Sequence, residues 1–155
     1  MPNIHIVCIG KLKEKYWKDA EAEYAKRLTS FCRLVITEKK EVFVPKDAST
    51  AAIEKARSEE SRQLRQASRG ALIALSPDGD KITSEEFASM IKGASAKDIT
   101  FAVGGSYGLS ESFKKSAGKT ISFSDLTMPH QLFRIVLLEQ IYRAFMISCA
   151  RTYHK

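Results

Sequence analysis

Cysteine and histidine are scarce in this 155-residue sequence, and their positions argue against the sites that they usually build. The three cysteines, Cys8, Cys32 and Cys149, are far apart and never form a C-x-x-C pair, so neither a disulfide framework nor a zinc ribbon is expected. The three histidines share no metal-ligand spacing with one another or with the cysteines. We therefore expect reduced thiols, as in the cytoplasm, and no metal.

Long apolar runs are also absent. No stretch of 18 apolar residues occurs, and the most apolar segment, residues 132–150, carries Arg134, Glu139 and Arg143, which a lone membrane span would tolerate poorly. The first residues lack the basic region, apolar region and cleavage site of a signal peptide. Because no linker rich in proline, glycine or serine interrupts the chain, we expect one domain over residues 1–155.

An excess of positive charge is the main signal in the composition. Twenty-five lysines and arginines against 18 aspartates and glutamates give a net charge of +7, which favours an anionic partner such as nucleic acid. The segment 50–69, expected to be an exposed helix, offers a candidate basic face formed by Lys55, Arg57, Arg62, Arg65 and Arg69. Offsets of two and five residues keep these side chains from sharing one helical stripe, so a solvated helix of mixed charge is the alternative.

Apolar runs typical of strands alternate with helical patterns along the chain. This alternation is the signature of βαβ units and predicts the α/β class, with a mostly parallel sheet and helices on both faces. The predicted strands are 4–9, 33–37, 71–75, 99–103 and 120–123. The predicted helices lie near 14–30, 49–68, 83–92, 110–117 and 129–149. Residues 41–45 form either a short further strand or an extended loop.

The last predicted helix has almost no polar face. Its apolar residues surround the helix from Leu132 to Ile147, so it must be buried on more than one side. One side is expected to pack on the sheet and another on a second subunit, most simply in a two-fold dimer. A central core helix in a monomer is the alternative. In either arrangement Arg134 needs a partner, and Glu139 and Arg143 stand four residues apart and can pair.

Three loops follow predicted strands, and ligands of open α/β sheets bind beyond the carboxyl ends of strands. Residues 76–81 have the composition of a β-turn. In the glycine cluster 103–110, Ser110 can cap the next helix, and the glycines allow a sharp turn and the close approach of a ligand. Residues 123–130 lead into the last helix. The glycine cluster does not match G-x-G-x-x-G, so no nicotinamide site is predicted, and a tight turn without a ligand is the alternative.

Taken in this order, the loops make the chain resemble the bacterial ribosomal RNA large subunit methyltransferase H family. These proteins are small members of the SPOUT class of RNA methyltransferases that depend on S-adenosyl-L-methionine. The resemblance covers essentially the whole chain and is carried by four motifs: Val103-Gly104-Gly105-x-x-Gly108-Leu109-Ser110, Leu126-Thr127-Met128-Pro129-His130, Arg134-x-x-Leu137-x-Glu139-Gln140-x-Tyr142-Arg143-Ala144 and Tyr153-His154-Lys155. Tyr107 departs from the residues usual in this glycine loop, which leaves open a change in loop mobility or a local stacking contact.

The resemblance implies an α/β fold with a C-terminal trefoil knot. It also implies a homodimeric enzyme that methylates N3 of a pseudouridine in large-subunit (23S) rRNA, on the assembled 70S ribosome. The loops of the knot would hold S-adenosyl-L-methionine against Leu75, Gly104, Phe123, Ser124, Asp125, Leu126, Thr127 and Met128. Apolar walls with a few backbone donors and acceptors suit the adenine ring.

The candidate catalytic residues are Tyr153, His154 and Arg143. The N3 proton of the target base must be removed, and a base with a pKa near neutrality, such as His154, suits that step. Tyr153 is expected to stack on the target base or to hydrogen-bond to it. Arg143 either contacts RNA or only pairs with Glu139. The alternative function is that of a non-catalytic basic dimer that binds RNA or the ribosome.

Overall fold

The computed structural model describes residues 1–94 and 97–155. Its strands are β1 (Asn3–Ile9), β2 (Arg33–Lys39), β3 (Ala71–Lys81), β4 (Ile99–Val103) and β5 (Lys119–Ser122). Its helices are α1 (Lys15–Leu28), α2 (Thr50–Ala67), α3 (Ser84–Gly93), α4 (Glu111–Ser116) and α5 (His130–Ser148). The five strands form one parallel sheet in the order β2-β1-β4-β3-β5, which confirms the predicted α/β class and parallel sheet.

Successive strand residues point to opposite faces of the sheet, and they build two cores. On β1, Ile4 and Ile6 belong to the core that includes α1, α3 and α5, whereas Val7 and Ile9 belong to the core that includes α2 and α4. The central strands are therefore buried on both faces, which explains their nearly continuous apolar sequences.

The structure corrects the prediction for one segment and decides between the two alternatives for another. Residues 76–81, predicted as a β-turn, instead continue β3 past an irregularity, so that Asp80 pairs with Ile121 of β5. Gly79 permits this close pairing, because a Cβ there would lie 2.7 Å from the backbone of Ile121. Pairing with a distant strand thus outweighs local turn composition. Residues 41–45 form the extended loop.

Helix α5 packs against α1 on one side and α3 on the other. Its most deeply buried apolar residues are Leu137, Leu138, Ile141 and Ala144. Leu132 and Val136 are only half-buried. The helix is thus enclosed on several sides within one chain, and part of its apolar surface still reaches solvent. Despite this apolar character, no helix in the described part of the chain has the length and hydropathy of a membrane span.

Arg134 lies near the start of α5 and leaves only 2% of its surface exposed. Its guanidinium donates to Glu38 of β2 at 2.7 Å, to Glu21 of α1 at 3.1 Å and to the carbonyl oxygen of Gly10 at 3.1 Å. Burial alone would lower the pKa of Arg134, but the negative groups around it outweigh this effect and raise it. One side chain therefore joins α5 to α1, to β2 and to the loop after β1.

Replacing Arg134 by methionine should lower the free energy of unfolding by about 3 kcal/mol, because Glu21 and Glu38 would remain side by side without a cation. Chemical denaturation followed by circular dichroism measures this loss. Arg62→Met is the matched control, since Arg62 pairs with Glu59 on the exposed surface of α2 and should contribute little. Equal small losses in both variants would contradict the role given to Arg134.

The C-terminal end of α5 contains a left-handed residue. Ala150 has a φ of 52°, and it is the only non-glycine residue with positive φ in the described part of the chain. The N–H of Arg151 bonds to the carbonyl of Met146 and the N–H of Ala150 bonds to that of Ile147, which is the Schellman arrangement. Glycine is usual at this position because a Cβ is strained there. Ala150 therefore holds backbone strain where the C-terminal tail, residues 151–155, begins.

Ala150→Gly should raise the free energy of unfolding by about 0.5–1 kcal/mol, because the relief of strain exceeds the added flexibility of the unfolded chain. Thermal unfolding should show this as a higher Tm. Ser148→Gly places the same residue in the right-handed last turn of α5, where it should cost about 0.5 kcal/mol. A lower Tm for the Ala150 variant would show that the left-handed conformation is not strained.

Candidate functional site

A cavity of about 760 Å³ opens at the carboxyl ends of β4 and β5 and beside the middle of β3, next to the first turn of α5. Three segments form most of its wall: residues 75–77 of β3, the glycine loop (residues 103–109) and the α5 entry loop (residues 122–129). The helices add Arg57, Glu111, Lys114, His130 and Phe133. This is the position predicted for an open parallel sheet, and the volume suits a small organic ligand.

The glycines explain the tight path of the glycine loop. Gly108 donates its N–H to the carbonyl of Gly105 at 3.0 Å and has a φ of +74°, which favours glycine. A Cβ on Gly104 would lie 2.8 Å from the backbone of Gly108, and one on Gly105 would lie 3.0 Å from the side chain of Ile9. The loop therefore closes on itself and against β1 only when these positions lack side chains.

Helix α2 holds the tip of the glycine loop from outside. Arg57 donates from Nε to the carbonyl oxygen of Tyr107 at 2.9 Å. The side chain of Tyr107 is exposed and lines the cavity. Tyr107, the residue that departs from the family pattern, thus places an aromatic ring at the rim of the cavity while its backbone is fixed.

The loop after β2 provides a second support. Ser106 donates its hydroxyl to Glu41 at 3.2 Å. Glu60 of α2 is only 4% exposed and accepts a hydrogen bond from the N–H of Val42 at 2.9 Å. Burial raises the pKa of the Glu60 carboxyl, while the bond from Val42 acts in the opposite direction. These contacts connect α2, the loop after β2 and the glycine loop into one wall.

The α5 entry loop is anchored by aromatic packing. The Phe123 ring packs against Phe87 and Phe133, with ring centroids 5.3 Å and 5.6 Å away. Beyond it, the N–H of Leu126 donates to the hydroxyl of Ser124 at 2.9 Å, which shapes a short turn. The Leu126 side chain is exposed at the cavity. The loop thus has a buried start and an apolar group that a ligand can cover.

Seven of the eight residues that the resemblance assigns to the cofactor line this cavity: Leu75, Gly104, Phe123, Ser124, Leu126, Thr127 and Met128. Asp125 does not belong to the lining. Its exposed carboxylate instead pairs with Lys81 of β3. The position of Asp125 in the α5 entry loop therefore does not translate into a position in the cavity wall.

The wall also contains Glu111 and Lys114, which had no recognisable signal in the sequence, and Arg57, which was expected only as part of a basic helix face. Lys114 lies 2.7 Å from Asp78 and 2.6 Å from Glu111. Burial would lower the pKa of Lys114, but these hydrogen bonds outweigh the effect of burial and raise the pKa. The hydrogen bond from Lys114 in turn lowers the pKa of Asp78.

In residues 1–94 and 97–155, no three His, Cys, Asp or Glu side chains gather as metal ligands would.

The three predicted catalytic residues lie together around Glu139 of α5. Arg143 donates twice to Oε1 of Glu139, at 2.6 Å and 3.0 Å, which confirms the predicted pair. Tyr153 donates its hydroxyl to the same oxygen at 3.2 Å, and its ring centroid lies 4.9 Å from the guanidinium of Arg143. His154 contacts Arg143 through Nδ1 at 3.3 Å and Glu85 of α3 through Nε2 at 2.7 Å. We name Glu139, Arg143, Tyr153 and His154 the tail cluster.

These contacts determine the protonation of the tail cluster. Arg143 can only donate, so Nδ1 of His154 accepts and Nε2 carries the proton that is donated to Glu85. Burial, followed by the nearby carboxylate of Glu139, raises the pKa of Tyr153 to about 12, so its hydroxyl keeps its proton at neutral pH. The basic nitrogen of His154 is thus occupied by Arg143. It can accept a proton from another molecule only after this contact is broken.

The tail cluster does not line the cavity within the same chain. Arg143 follows Phe133 by ten residues of α5, which corresponds to about 15 Å along the helix. The structure therefore groups the predicted catalytic residues with one another and most of the predicted cofactor residues with one another. The two groups lie at different levels of α5.

Known proteins resemble this chain in both sequence and fold. A family model described as "Predicted SPOUT methyltransferase" matches residues 2–154. The "Ribosomal RNA large subunit methyltransferase H" of Lactobacillus delbrueckii subsp. bulgaricus is 44% identical over 158 aligned residues, which cover 99% of each chain. The protein of the same name from Lactobacillus acidophilus is 46% identical with the same coverage. That from Streptococcus uberis is 46% identical and covers 98% of this chain and 99% of its own.

A solved structure shares the fold. It is a probable methylase family protein from Haemophilus influenzae Rd KW20, with a TM-score of 0.58 and 13% identity, and the match covers 99% of this chain and 70% of that one. Such low identity supports the fold alone, whereas the sequence matches extend over nearly the whole chain at more than 40% identity. The chain therefore belongs to the SPOUT methyltransferase family, as an RNA methyltransferase of the ribosomal RNA large subunit methyltransferase H group.

Proposed function

We propose that this chain transfers a methyl group from S-adenosyl-L-methionine, the methyl donor of its family, to N3 of a pseudouridine in 23S rRNA. We further propose that it acts on the assembled 70S ribosome, in the cytoplasm. The observation that carries the proposal is the cavity between the middle of β3 and the carboxyl ends of β4 and β5, since the glycine loop and the α5 entry loop, which bear two of the family motifs, form most of it. The net charge of +7 agrees with an RNA substrate.

The residues of the cavity fit this cofactor. Leu75, Met128 and Phe133 offer apolar walls for the adenine ring, and the glycine loop and the α5 entry loop offer backbone donors and acceptors. The amino-acid end of the cofactor carries an ammonium and a carboxylate. Glu111 has the charge to pair with the ammonium, and Arg57 has the charge to pair with the carboxylate. When bound, the cofactor supplies a methyl group that its sulfonium charge activates for transfer.

We assign proton removal and positioning of the target base to the tail cluster. Nδ1 of His154 is the nitrogen suited to accept the N3 proton, once it is released from Arg143. Tyr153, protonated at neutral pH, is suited to stack on the base or to donate a hydrogen bond to it. Arg143 is fixed by two hydrogen bonds to Glu139 and retains further N–H groups for a phosphate of the RNA.

A homodimer would bring the tail cluster to the cavity. In an antiparallel pairing of α5 with α5 of a second copy, a two-fold axis midway between Phe133 and Arg143 sets the tail cluster of one chain beside the cavity of the other. Leu132 and Val136, which are half-buried in the single chain, provide apolar contact for this pairing. Each site would then combine the cavity of one copy with the tail cluster of the other.

We also propose that residues 1–155 form one domain with a C-terminal trefoil knot, as in the SPOUT class. Strand β5 lies at the edge of the sheet beside β3, yet α5, which follows it, packs against both α1 and α3. The α5 entry loop must therefore pass across the carboxyl ends of the neighbouring strands, next to the glycine loop. This path supports threading of the chain at the cavity, although knots are rare in proteins.

Calorimetric titration with S-adenosyl-L-methionine should show saturable binding, whereas NADH and ATP should not bind. Gly104→Ala should weaken the binding by roughly 5- to 100-fold, because the new Cβ displaces the glycine loop. Gly93→Ala is the matched control, since a Cβ at that position on α3 would meet no other element of the described chain within 4 Å. Circular dichroism checks that both variants are folded.

Equal affinity of these two variants would separate the glycine loop from the cofactor site. A folded wild-type protein that does not bind S-adenosyl-L-methionine would contradict the proposed cofactor site itself. The non-catalytic RNA-binding dimer would then be the better explanation of the charge and of the apolar helix.

The shared site predicts complementation between two inactive variants. A chain without residues 152–155 should bind S-adenosyl-L-methionine normally but transfer no methyl groups to ribosomes, and a Gly104→Leu chain should fail to bind the cofactor. Co-expressed in equal amounts, they should recover about one quarter of the wild-type activity, because half of the dimers are mixed and each has one complete site. No recovery at any ratio would contradict a shared site, and an active truncated chain would contradict the role of the tail.

A further inference from the structure

The chain enters a lysine-rich segment as soon as it leaves β1. Residues 11–18, the lysine segment, contain four lysines and one glutamate, a net charge of +3 within eight residues. Its lysines are all exposed: Lys11, Lys13, Lys15 and Lys18. Because the sheet is parallel, the segment begins at the same edge as the cavity. Neither the cavity wall nor the tail cluster includes it.

The lysine segment is fixed to the start of α5. Its Leu12 is buried, and the backbone N–H of Lys13 donates to the side-chain oxygen of Gln131 at 2.7 Å. A Cβ on Gly10, which precedes the segment, would lie 3.4 Å from Nε2 of His130, a residue of the cavity wall. The exposed lysines are therefore held next to the cavity by a backbone with fixed contacts.

Most of this positive charge has no acidic partner in the described part of the chain. Lys15 pairs with Asp19 on the exposed surface of α1. Among residues 1–94 and 97–155, no carboxylate lies within ion-pair distance of Lys11, Lys13 or Lys18. Exposed lysines of this kind bind phosphates through the release of counterions, which makes the binding dependent on salt.

Two aromatic residues interrupt the lysines. Tyr16 is 63% exposed, and its ring lies edge-on to that of Trp17, with the centroids 5.0 Å apart. Exposed aromatic rings among lysines are typical of surfaces that bind single-stranded nucleic acid, where the ring stacks on an unpaired base. Lysine is depleted at protein interfaces, so this composition favours RNA over a second copy of the chain.

We propose that the lysine segment is a docking surface for the substrate RNA. Lys11, Lys13 and Lys18 bind phosphates close to the target nucleotide, and Tyr16 stacks on a neighbouring unpaired base. The inference rests on the proposed function for the identity of its partner, since it requires an RNA substrate whose target base enters the cavity beside the segment.

The salt dependence of activity tests the lysines. The variant Lys11→Gln/Lys13→Gln/Lys18→Gln should give a plot of log kcat/KM against log KCl concentration that is less steep by about 2, at roughly 0.7 for each phosphate contact to a single strand. The assay follows methyl transfer from labelled S-adenosyl-L-methionine to ribosomes purified from cells that lack the modification, and co-sedimentation with the same ribosomes measures binding directly. Calorimetric affinity for S-adenosyl-L-methionine should not change.

The matched control is Lys92→Gln/Lys97→Gln/Lys119→Gln. These three lysines are exposed as well, and they lie at or near the amino-terminal edge of the sheet, opposite the cavity. Both triple variants lower the net charge from +7 to +4, so a general effect of charge would change both slopes equally. Only a local contact changes the slope of the first variant alone.

Substitutions of Tyr16 provide a second test of the docking surface. Tyr16→Leu removes the aromatic face and should weaken co-sedimentation with ribosomes by roughly 5- to 100-fold, whereas Tyr16→Phe keeps the ring and should bind nearly as the wild type does. Analytical ultracentrifugation of each variant reports the oligomeric state.

Equal slopes for the two triple variants would overturn the proposal. So would a change of oligomeric state confined to the variants of the lysine segment, because the segment would then face a second copy. If the wild type binds ribosomes through these lysines but transfers no methyl group, the docking surface stands and the proposed reaction fails. If it transfers methyl groups with unaltered salt dependence in all variants, only the docking surface fails.

Discussion

The enclosed guanidinium of Arg134 determines where α5 sits on the sheet. A charge that is almost fully removed from water must find its partners within the protein, and here they come from α1, from β2 and from the carbonyl of Gly10. A different placement of α5 would leave all of these groups unpaired at once. The same contact sets Gly10 against His130, so the wall of the cavity and the start of the lysine segment depend on an ion pair that takes no part in the chemistry.

Most of the fold could be predicted from the sequence, because local patterns determine its elements. The apolar run 4–9 indicated β1, and Ser110 indicated the start of α4. The hydroxyl of Ser110 does accept a hydrogen bond from the N–H of Phe113, as a helix cap should. The pattern failed where a distant partner decides the conformation. Residues 76–81 have the composition of a turn but are drawn into β3 by β5, and the insertion of β4 between β1 and β3 is a long-range pairing that no local pattern encodes.

The position of the candidate site could be predicted largely from the three segments that follow predicted strands. The resemblance then assigned residues of these segments to the cofactor, but it does not tell which side chain turns inward, and Asp125 turns outward to Lys81. Arg57 was expected only on a basic helix face and Lys114 had no signal at all, yet both reach the wall from their helices. The separation of the tail cluster from the cavity follows from the length of α5 and from packing, and neither can be derived from the spacing of residues near the C-terminal end.

The strand order affects how the protein folds during its synthesis. Strand β4 alone joins the pair β1 and β2 to the pair β3 and β5, so a nascent chain that has not reached residue 99 holds the β1–β2 pair and β3 without a common hydrogen bond. The helix that covers the larger core, α5, is synthesised last of all the elements. Until then, unpaired strand edges and apolar faces are exposed, and they can associate with other chains or bind chaperones. An enzyme whose family methylates ribosomal RNA thus completes its own larger core only after the ribosome has synthesised α5.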